Sequence, residues 1–180
     1  SDNYDAGVQC AKDMMKKKTS ANIIIVNQKA LNSINERVKG FRDTIKGHPQ
    51  YKIVEEKESA AEFEIAMKVM EEIIYEKKNY DVVMGGNDPI ALGCIAAMQM
   101  TDKTDQVMVY GVDGSPDGKA MIKAGFLEGT AAQSPIKIGE KAVQTAYSYL
   151  AGETVKKHVT IPVELITADN LKLYDMTGWQ

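Results

Sequence analysis

Runs of β-branched residues without polar alternation are the feature that most constrains the fold of this chain. The clearest run is NIIIV at 22–26, and DVVMG at 81–85 and QVMVYGV at 106–112 have the same character. A strand that carries apolar side chains on both faces is buried on both faces, as happens in parallel sheets covered by helices. These runs therefore predict the central strands of a parallel sheet.

Segments with helical periodicity alternate with these runs. Their apolar residues recur every three or four positions, which predicts helices over 4–17, 33–46, 61–78, 89–100, 116–124 and 135–151. Further strands are predicted over 51–57, 127–133 and 158–167, and Pro162 makes the last one an edge or crossing segment. The alternation predicts an α/β fold, a three-layer, doubly wound, mostly parallel sheet with helices on both faces.

Composition and charge exclude several classes of partner. The net charge of −3 gives no electrostatic reason to expect binding to nucleic acid. Apolar runs stay short of the roughly 18 residues that a membrane span needs. The two cysteines, Cys10 and Cys94, lie among apolar neighbours, and His48 and His158 lack neighbours at metal-ligand spacing. We therefore expect neither a disulfide framework, nor a metal site, nor a cofactor.

Polar residues at strand ends predict a binding site along one edge of the sheet. The carboxyl ends of parallel strands meet at one edge, where ligands of open α/β sheets bind. Four predicted strands end in an amide or acid side chain, namely Asn27, Asn87, Asp113 and Gln133. A cation, Arg37, lies on the helix after the first strand. Such planar groups form paired hydrogen bonds and suit a neutral ligand with many hydroxyl groups.

Each of these side chains also has a purely structural interpretation, because Asn and Asp often form turns and helix caps. Three nearby helix starts, however, have a predicted cap directly before a proline: Asp88, Ser115 and Ser134. On this prediction Asn87, Asp113 and Gln133 are not needed for capping. Three such cases on one sheet edge favour a binding site.

Catalytic signatures are absent from the sequence, which has neither a GxSxG elbow nor a Walker A pattern. The stretch DGSPDG at 113–118 resembles the opening of a calcium loop, but its twelfth position is Ala124 instead of Glu. Gly85 and Gly86 lack the GxGxxG spacing of a dinucleotide site. We therefore expect a binding protein and not an enzyme.

Four stretches resemble one protein family: NERVKGF at 35–41, GGNDPIALGCIAAM at 85–98, the segment 110–143 and PVELIT at 162–167. Together they are similar to the second half of type I periplasmic sugar-binding proteins, the ribose- and galactose-type receptors of bacterial ABC transporters. The resemblance covers essentially the whole chain. It implies one lobe of a two-lobe fold, formed by residues 1–133 and 168–180. Residues 134–167 would then supply the hinge crossings and a helix that packs on the first lobe.

The resemblance also implies functional residues and partners. Position by position, the implied sugar ligands are Asp2, Arg37, Asn87, Asp113 and Gln133, whereas the family pattern does not single out Asn27. The implied function is the extracytoplasmic solute-binding component of an ABC transporter. It would capture a sugar or polyol by hydrogen bonds between two lobes, close about a hinge, and meet a permease. The opening SDNYDAG is not a signal peptide.

Two further expectations follow from the same stretches. Effector domains of lac-repressor-type regulators and related sensor proteins share this fold, so a sugar-sensing effector domain remains the alternative. The helix predicted over 135–151 carries an apolar stripe, made of Ala142, Val143, Ala146, Tyr147 and Leu150. We expect this stripe to fold back onto the sheet or to pair with a second copy of the chain.

Overall fold

One sheet of six strands organises residues 1–101 and 107–180, the ranges that this computed structural model describes. The strands are β1 (Ala21–Asn27), β2 (Tyr51–Glu58), β3 (Val82–Gly85), β4 (Met108–Asp113), β5 (Gly129–Ala132) and β6 (Glu164–Thr167). They lie in the order β2-β1-β3-β4-β5-β6, and only β6 runs antiparallel to its neighbour within these ranges. The predicted mostly parallel sheet is confirmed.

Helices cover both faces of the sheet. They are α1 (Asn3–Lys17), α2 (Asn32–Ile45), α3 (Phe63–Tyr75), α4 (Asp88–Gln99), α5 (Pro116–Ala124) and α6 (Pro135–Leu150), and a short 3₁₀ helix spans Leu171–Leu173. Helices α1 and α2 pack against each other on one face, and α3, α4 and α5 lie on the other. The three-layer architecture is thereby confirmed. In the described ranges, every helix falls short of the length and apolar character of a membrane span.

The central strands form because their side chains are excluded from water on both faces. Ile23, Ile24, Ile25 and Val26 of β1 are all completely buried, and every residue of β3 is buried as well. Burying one such side chain stabilises the fold by roughly 1.5–3 kcal/mol. The core therefore sits around β1 and β3, which is where the strand order reverses direction.

Several element boundaries differ from the sequence prediction, and three of them have an evident cause. Helix α3 is shorter than 61–78 because Ala61 and Lys77 have positive φ values of 58° and 52°, which a right-handed helix cannot continue. Strand β4 ends at Asp113, and Gln106 at the start of the predicted strand lies outside the described residues. Of the segment 158–167, only Glu164–Thr167 pairs with the sheet, at the edge that Pro162 predicted.

Helix α6 does not fold back onto the sheet, which was one of the two alternatives expected for its apolar stripe. All its residues are exposed or only partly covered, and Tyr147 and Leu150 are 72% and 80% exposed. The apolar stripe therefore faces away from the lobe. Strand β6 lies inside the predicted hinge segment 134–167 yet belongs to the sheet of this lobe. The remaining division into lobe and hinge stays a prediction, as does pairing with a second copy.

Candidate functional site

The carboxyl ends of β1, β3, β4 and β5 form one edge of the sheet. The chain leaves β1 toward β2 and leaves β3 toward β4, so the strand order reverses between β1 and β3. Ligands of open α/β sheets bind outside such a switch point. The parallel register pairs Asp113 with Ala132, which brings the next residue, Gln133, beside Asp113.

Three predicted site residues form one hydrogen-bonded group at this edge. Gln133 donates from Nε2 to Oδ1 of Asp113 at 2.7 Å, and Nη1 of Arg37 lies 3.4 Å from the same oxygen. Arg37 also donates from Nη1 to the carbonyl of Gly86, directly before Asn87, at 2.9 Å. The guanidinium of α2 therefore links the end of β4 to the turn after β3.

Burial dominates the electrostatics of this group. Arg37 is only 4% exposed, and burial lowers the pKa of its guanidinium although Asp113 and Asp88 oppose the shift. Burial also raises the pKa of Asp113 from 3.8 to about 6, against the attraction of Arg37 and the hydrogen bond from Gln133. The loss of hydration therefore destabilises the charged forms of Arg37 and Asp113 by more than their mutual attraction stabilises them, as is common for buried ion pairs.

The backbone of Asp113 is strained as well. Its φ is 145°, in a region that non-glycine residues rarely adopt. Such conformations cost about 1–3 kcal/mol and concentrate at functional sites. A strained backbone and an unfavourable charge therefore coincide at one residue of the sheet edge. Helix capping does not explain them, because Ser115 caps the following helix by accepting from the amide of Gly118.

The capping role predicted for Asp88 belongs to Asn87. Asn87 is the cap of α4, because its Oδ1 accepts from the backbone amide of Ile90 at 3.0 Å. Asp88 is the first helical residue and is completely buried. The inference that Asn87 is not needed for capping was therefore wrong. Its amide nitrogen, which can donate two hydrogen bonds, is the part that remains for a ligand.

Asp88 is a buried acid that sequence reasoning assigned only to capping. Its carboxylate accepts from the backbone amide and the hydroxyl of Ser115 and from the hydroxyl of Thr130. Burial raises the pKa of Asp88, and these hydrogen bonds oppose that shift. The partners lie far along the chain, so local sequence carries no signal for this contact.

The structure does not bring Asp2 and Asn27 into the Arg37–Asp113–Gln133 group. Asp2 caps α1 by accepting from the amide of Asp5 at 3.0 Å. Asn27 is buried and donates from Nδ2 to Glu56 of β2 at 2.6 Å, away from β3. Asn3, which the sequence did not single out, accepts from Nε of Arg37 at 2.9 Å and so orients the guanidinium.

The end of the described chain braces two of the strand ends. Gln180 donates from Nε2 to the carbonyl of Gly114 at 3.2 Å, and its own carbonyl accepts from the hydroxyl of Ser134 at 2.5 Å. Ser134 also caps α6, as predicted. Lys119 of α5 is buried and donates to the carbonyls of Asp175 and Gly178, which holds this terminal segment against the helix. These contacts support the turns that carry Asp113 and Gln133.

The polar edge lacks the features of a metal or nucleophilic site. Among the described residues, His, Cys, Asp and Glu form no group of three or more that could hold a metal ion. Cys10 and Cys94 are buried free thiols, and burial raises the pKa of both. What the edge offers is a carboxylate, a guanidinium and two amides, which together can accept from and donate to the hydroxyl groups of a neutral ligand.

Comparison with known proteins points to one family. Residues 1–154 match the family described as periplasmic binding protein domain. The chain is 30% identical over 169 residues to the ribose import binding protein RbsB of Salmonella typhimurium, an alignment that covers 92% of this chain and 56% of that protein. The chain therefore spans about half the length of the curated relatives it matches.

Solved structures agree with this match. A solute binding protein of an ABC transporter from Bacillus halodurans with bound myo-inositol superposes with a TM-score of 0.91 at 27% identity, over 97% of this chain and 61% of that one. The Caulobacter myo-inositol binding protein, also bound to myo-inositol, gives 0.87 at 29% identity, over 96% and 60%. These relatives are binding proteins, which confirms the predicted resemblance and the expectation that the chain is not an enzyme.

Proposed function

Because the chain belongs to the periplasmic binding protein domain family, we propose that it is one lobe of an extracytoplasmic receptor for a sugar or polyol. The relatives named above bind ribose or myo-inositol, and the proposal extends this ligand class to the present chain. The polar edge formed by Arg37, Asn87, Asp113 and Gln133 is one wall of the cleft. A second lobe supplies the other wall.

The observation that carries the proposal is the state of Asp113. This side chain is mostly buried beside Arg37, hydrogen-bonded to Gln133, and held at a φ of 145° at the end of β4, one strand beyond the switch point. Burial of the carboxyl group and the backbone conformation lower the stability of the lobe alone, and Arg37 and Gln133 offset the burial only in part. A ligand whose hydroxyl groups bond to the carboxylate and the guanidinium would offset this cost in the bound state.

A neutral polyhydroxy ligand fits the charges better than an anion does. Asp113 and Asp88 place two carboxyl groups near one guanidinium, and Asp88 raises the pKa of Asp113. An anionic ligand would meet this negative potential, whereas hydroxyl groups donate to the carboxylate and accept from Arg37 and Asn87. Phosphorylated sugars are therefore expected to bind more weakly than the corresponding free sugars.

The mechanism is hydrogen-bond capture followed by closure of the two lobes. A ligand that contacts both walls stabilises the closed state and shifts the population toward it. One wall alone gives weak binding, because a buried polar ligand needs partners on every side. Closure would report occupancy to an ABC permease, the partner suggested by the family.

The test is a calorimetric screen of pentoses, hexoses and inositols against the two-lobe receptor that carries this chain. We expect one member of the panel to bind tightly and its phosphate ester to bind at least tenfold more weakly. Tighter binding of the ester, or binding only to non-carbohydrate solutes, would contradict the proposal. Turnover of the bound sugar would point to an enzyme on this sheet.

A further inference from the structure

The carboxylate of Asp88 lies at the centre of the polar edge, where no ligand can reach it. It is 0% exposed and accepts hydrogen bonds from the amide of Ser115 at 2.8 Å, the hydroxyl of Ser115 at 2.7 Å and the hydroxyl of Thr130 at 2.6 Å. Ser115 starts the turn into α5, and Thr130 lies in β5. A single side chain of α4 therefore contacts both the turn that follows β4 and a residue within β5.

Two glycines leave the space that this carboxylate occupies. A Cβ at Gly111 of β4 would lie 2.4 Å from Oδ1 of Asp88, and a Cβ at Gly118 of α5 would lie 2.5 Å from Oδ2. Both distances are well inside the van der Waals contact distance, so a larger residue at either position would push the carboxylate away. The strand and the helix are thus shaped around an acid at position 88.

Backbone amides fix the direction of three hydrogen bonds in this network, and the hydroxyl groups complete it. The hydroxyl oxygen of Ser115 accepts from the amide of Gly118, and that of Thr130 accepts from the amide of Gly114, both at 3.0 Å. Each hydroxyl has one hydrogen, and each donates it to Asp88. Both oxygens of residue 88 must therefore be acceptors, which an ionised carboxylate provides and an amide does not.

We propose that Asp88 is the positioning residue of the polar edge and fixes the spacing of Asn87, Asp113 and Gln133. Asn87 precedes it directly in the chain. Its bonds to Ser115 and Thr130 fix the turn that follows Asp113 and the strand that leads to Gln133. That this spacing serves ligand binding rests on the proposed function, whereas the contacts of Asp88 themselves involve no ligand.

The test compares Asp88→Asn and Thr130→Val with the unchanged 180-residue chain by NMR. In Asp88→Asn, the N–H₂ group of the new amide faces either Ser115, where it meets a backbone N–H, or Thr130, whose hydroxyl hydrogen then loses its acceptor, so the network is broken on one side. We expect the side-chain amide signals of Asn87 and Gln133 to move in both variants. In Asp88→Asn, the pKa of Asp113, followed by its carboxyl carbon, should fall below about 6 because a neighbouring negative charge is lost.

Thr44→Val is the matched control. The hydroxyl of Thr44 donates to the carbonyl of Gly40 within α2 at 2.8 Å and has no link to Asp88. This variant should leave all the NMR signals of the polar edge unchanged. Variants Asp88→Asn and Thr130→Val that lower the melting temperature but leave these signals and the pKa of Asp113 unchanged would reduce Asp88 to a structural role and overturn the proposal.

Two features keep the test decisive. Thr130→Val retains the charge of Asp88, so it decides the question alone if Asp88→Asn does not fold. The NMR signals and the pKa of Asp113 are measured without sugar. A failure of sugar binding would therefore contradict the proposed function but not the positioning role of Asp88. Unchanged signals in a chain that does bind sugar would remove only the positioning role.

Discussion

Asp113 is held in a backbone conformation and an electrostatic environment that both lower the stability of the folded chain. Its φ of 145° is rare for a residue with a side chain, and burial raises its pKa to about 6. The neighbouring Arg37 only partly offsets the burial. Costs of this kind persist in proteins where function selects for them.

The first prediction concerns the pH dependence of this cost. The pKa of Asp113 is about 6 in the folded chain and 3.8 ordinarily, so the folded state binds more protons between these values and its stability falls as the pH rises. Asp113→Asn removes this term. The free energy of unfolding of the variant relative to the unchanged chain should rise by up to about 3 kcal/mol between pH 4 and pH 7.

Urea unfolding across this pH range provides the measurement. Asp169→Asn serves as the control, because Asp169 is exposed in the turn after β6. The control should show little change relative to the unchanged chain between pH 4 and pH 7. A relative stability of Asp113→Asn that stays constant or falls with rising pH would show that burial does not govern this carboxyl group.

The second prediction separates the two roles of Asn87. Its Oδ1 caps α4 through the amide of Ile90, and its nitrogen is proposed to donate to the ligand. Asn87→Asp keeps a good cap and removes the donor, so stability should change by less than about 0.5 kcal/mol while sugar binding weakens. Asn87→Ala should lose about 1 kcal/mol of stability as well. Equal sugar affinity in Asn87→Asp would exclude the donor role.

The presence of polar residues at the strand ends was predictable from the sequence, but which of them caps a helix and which is buried was not. Asn87 and Asp88 are both good caps at consecutive positions, and nothing local decides between them. Ser115 and Thr130, which lie far along the chain, donate hydrogen bonds to Asp88 and so favour its buried position. Asn27 likewise turns toward Glu56 because β2 happens to lie beside β1.

At the scale of elements, α4 and α6 differ sharply in how they contribute to the fold. Most of α4 is buried between α3 and the sheet, whereas α6 is covered only in part, along one side. Both helices start with a capped turn and a proline, so their sequences begin alike. The stability of the described lobe therefore depends on α4 and little on α6.

The third prediction follows from this difference. Ile90→Ala in α4 removes a completely buried side chain and should lower the free energy of unfolding by about 2–5 kcal/mol. Leu150→Ala in α6 removes a side chain that is 80% exposed and should change it by less than about 0.5 kcal/mol. Chemical denaturation of the two variants checks this. A large loss in Leu150→Ala would show that α6 packs on the lobe in solution.

Element types were predictable because the apolar patterns are strong, and element ends were less so. Alternation of buried strands with amphipathic helices predicted the layers. The limits of α3 depend on positive φ values at Ala61 and Lys77, and neither residue type favours such a conformation, so the sequence does not predict it. The limits of β6 depend on which residues can pair with β5, and only four residues of 158–167 do so.

On the scale of the whole molecule, the proposed function makes the polar edge one wall of a cleft. The chain covers about 56% of the ribose import binding protein it resembles, and the structure leaves the apolar stripe of α6 exposed. In the predicted division into lobe and hinge, α6 packs on the first lobe. On the proposed function, the second lobe would cover this stripe as well as supply the other side of the cleft.

The fourth prediction is that the isolated 180-residue chain self-associates through this stripe. Tyr147 and Leu150 expose large apolar surfaces that a second copy can cover. Sedimentation or light scattering should show a mass that rises with concentration. The double variant Tyr147→Lys and Leu150→Lys should remain monomeric, whereas Lys172→Gln, an exposed change outside the stripe, should behave like the unchanged chain. A strict monomer at high concentration would contradict the prediction.

The central claim is that Arg37, Asn87, Asp113 and Gln133 form one wall of a sugar- or polyol-binding cleft. The most direct measurement is an NMR titration of the isotope-labelled 180-residue chain with the tightest-binding member of the calorimetric panel. We expect weak, saturable shifts in the side-chain N–H signals of Arg37, Asn87 and Gln133, and their loss in Asp113→Asn but not in Asp169→Asn. Shifts that centre elsewhere on the lobe, or that persist unchanged in Asp113→Asn, would contradict it.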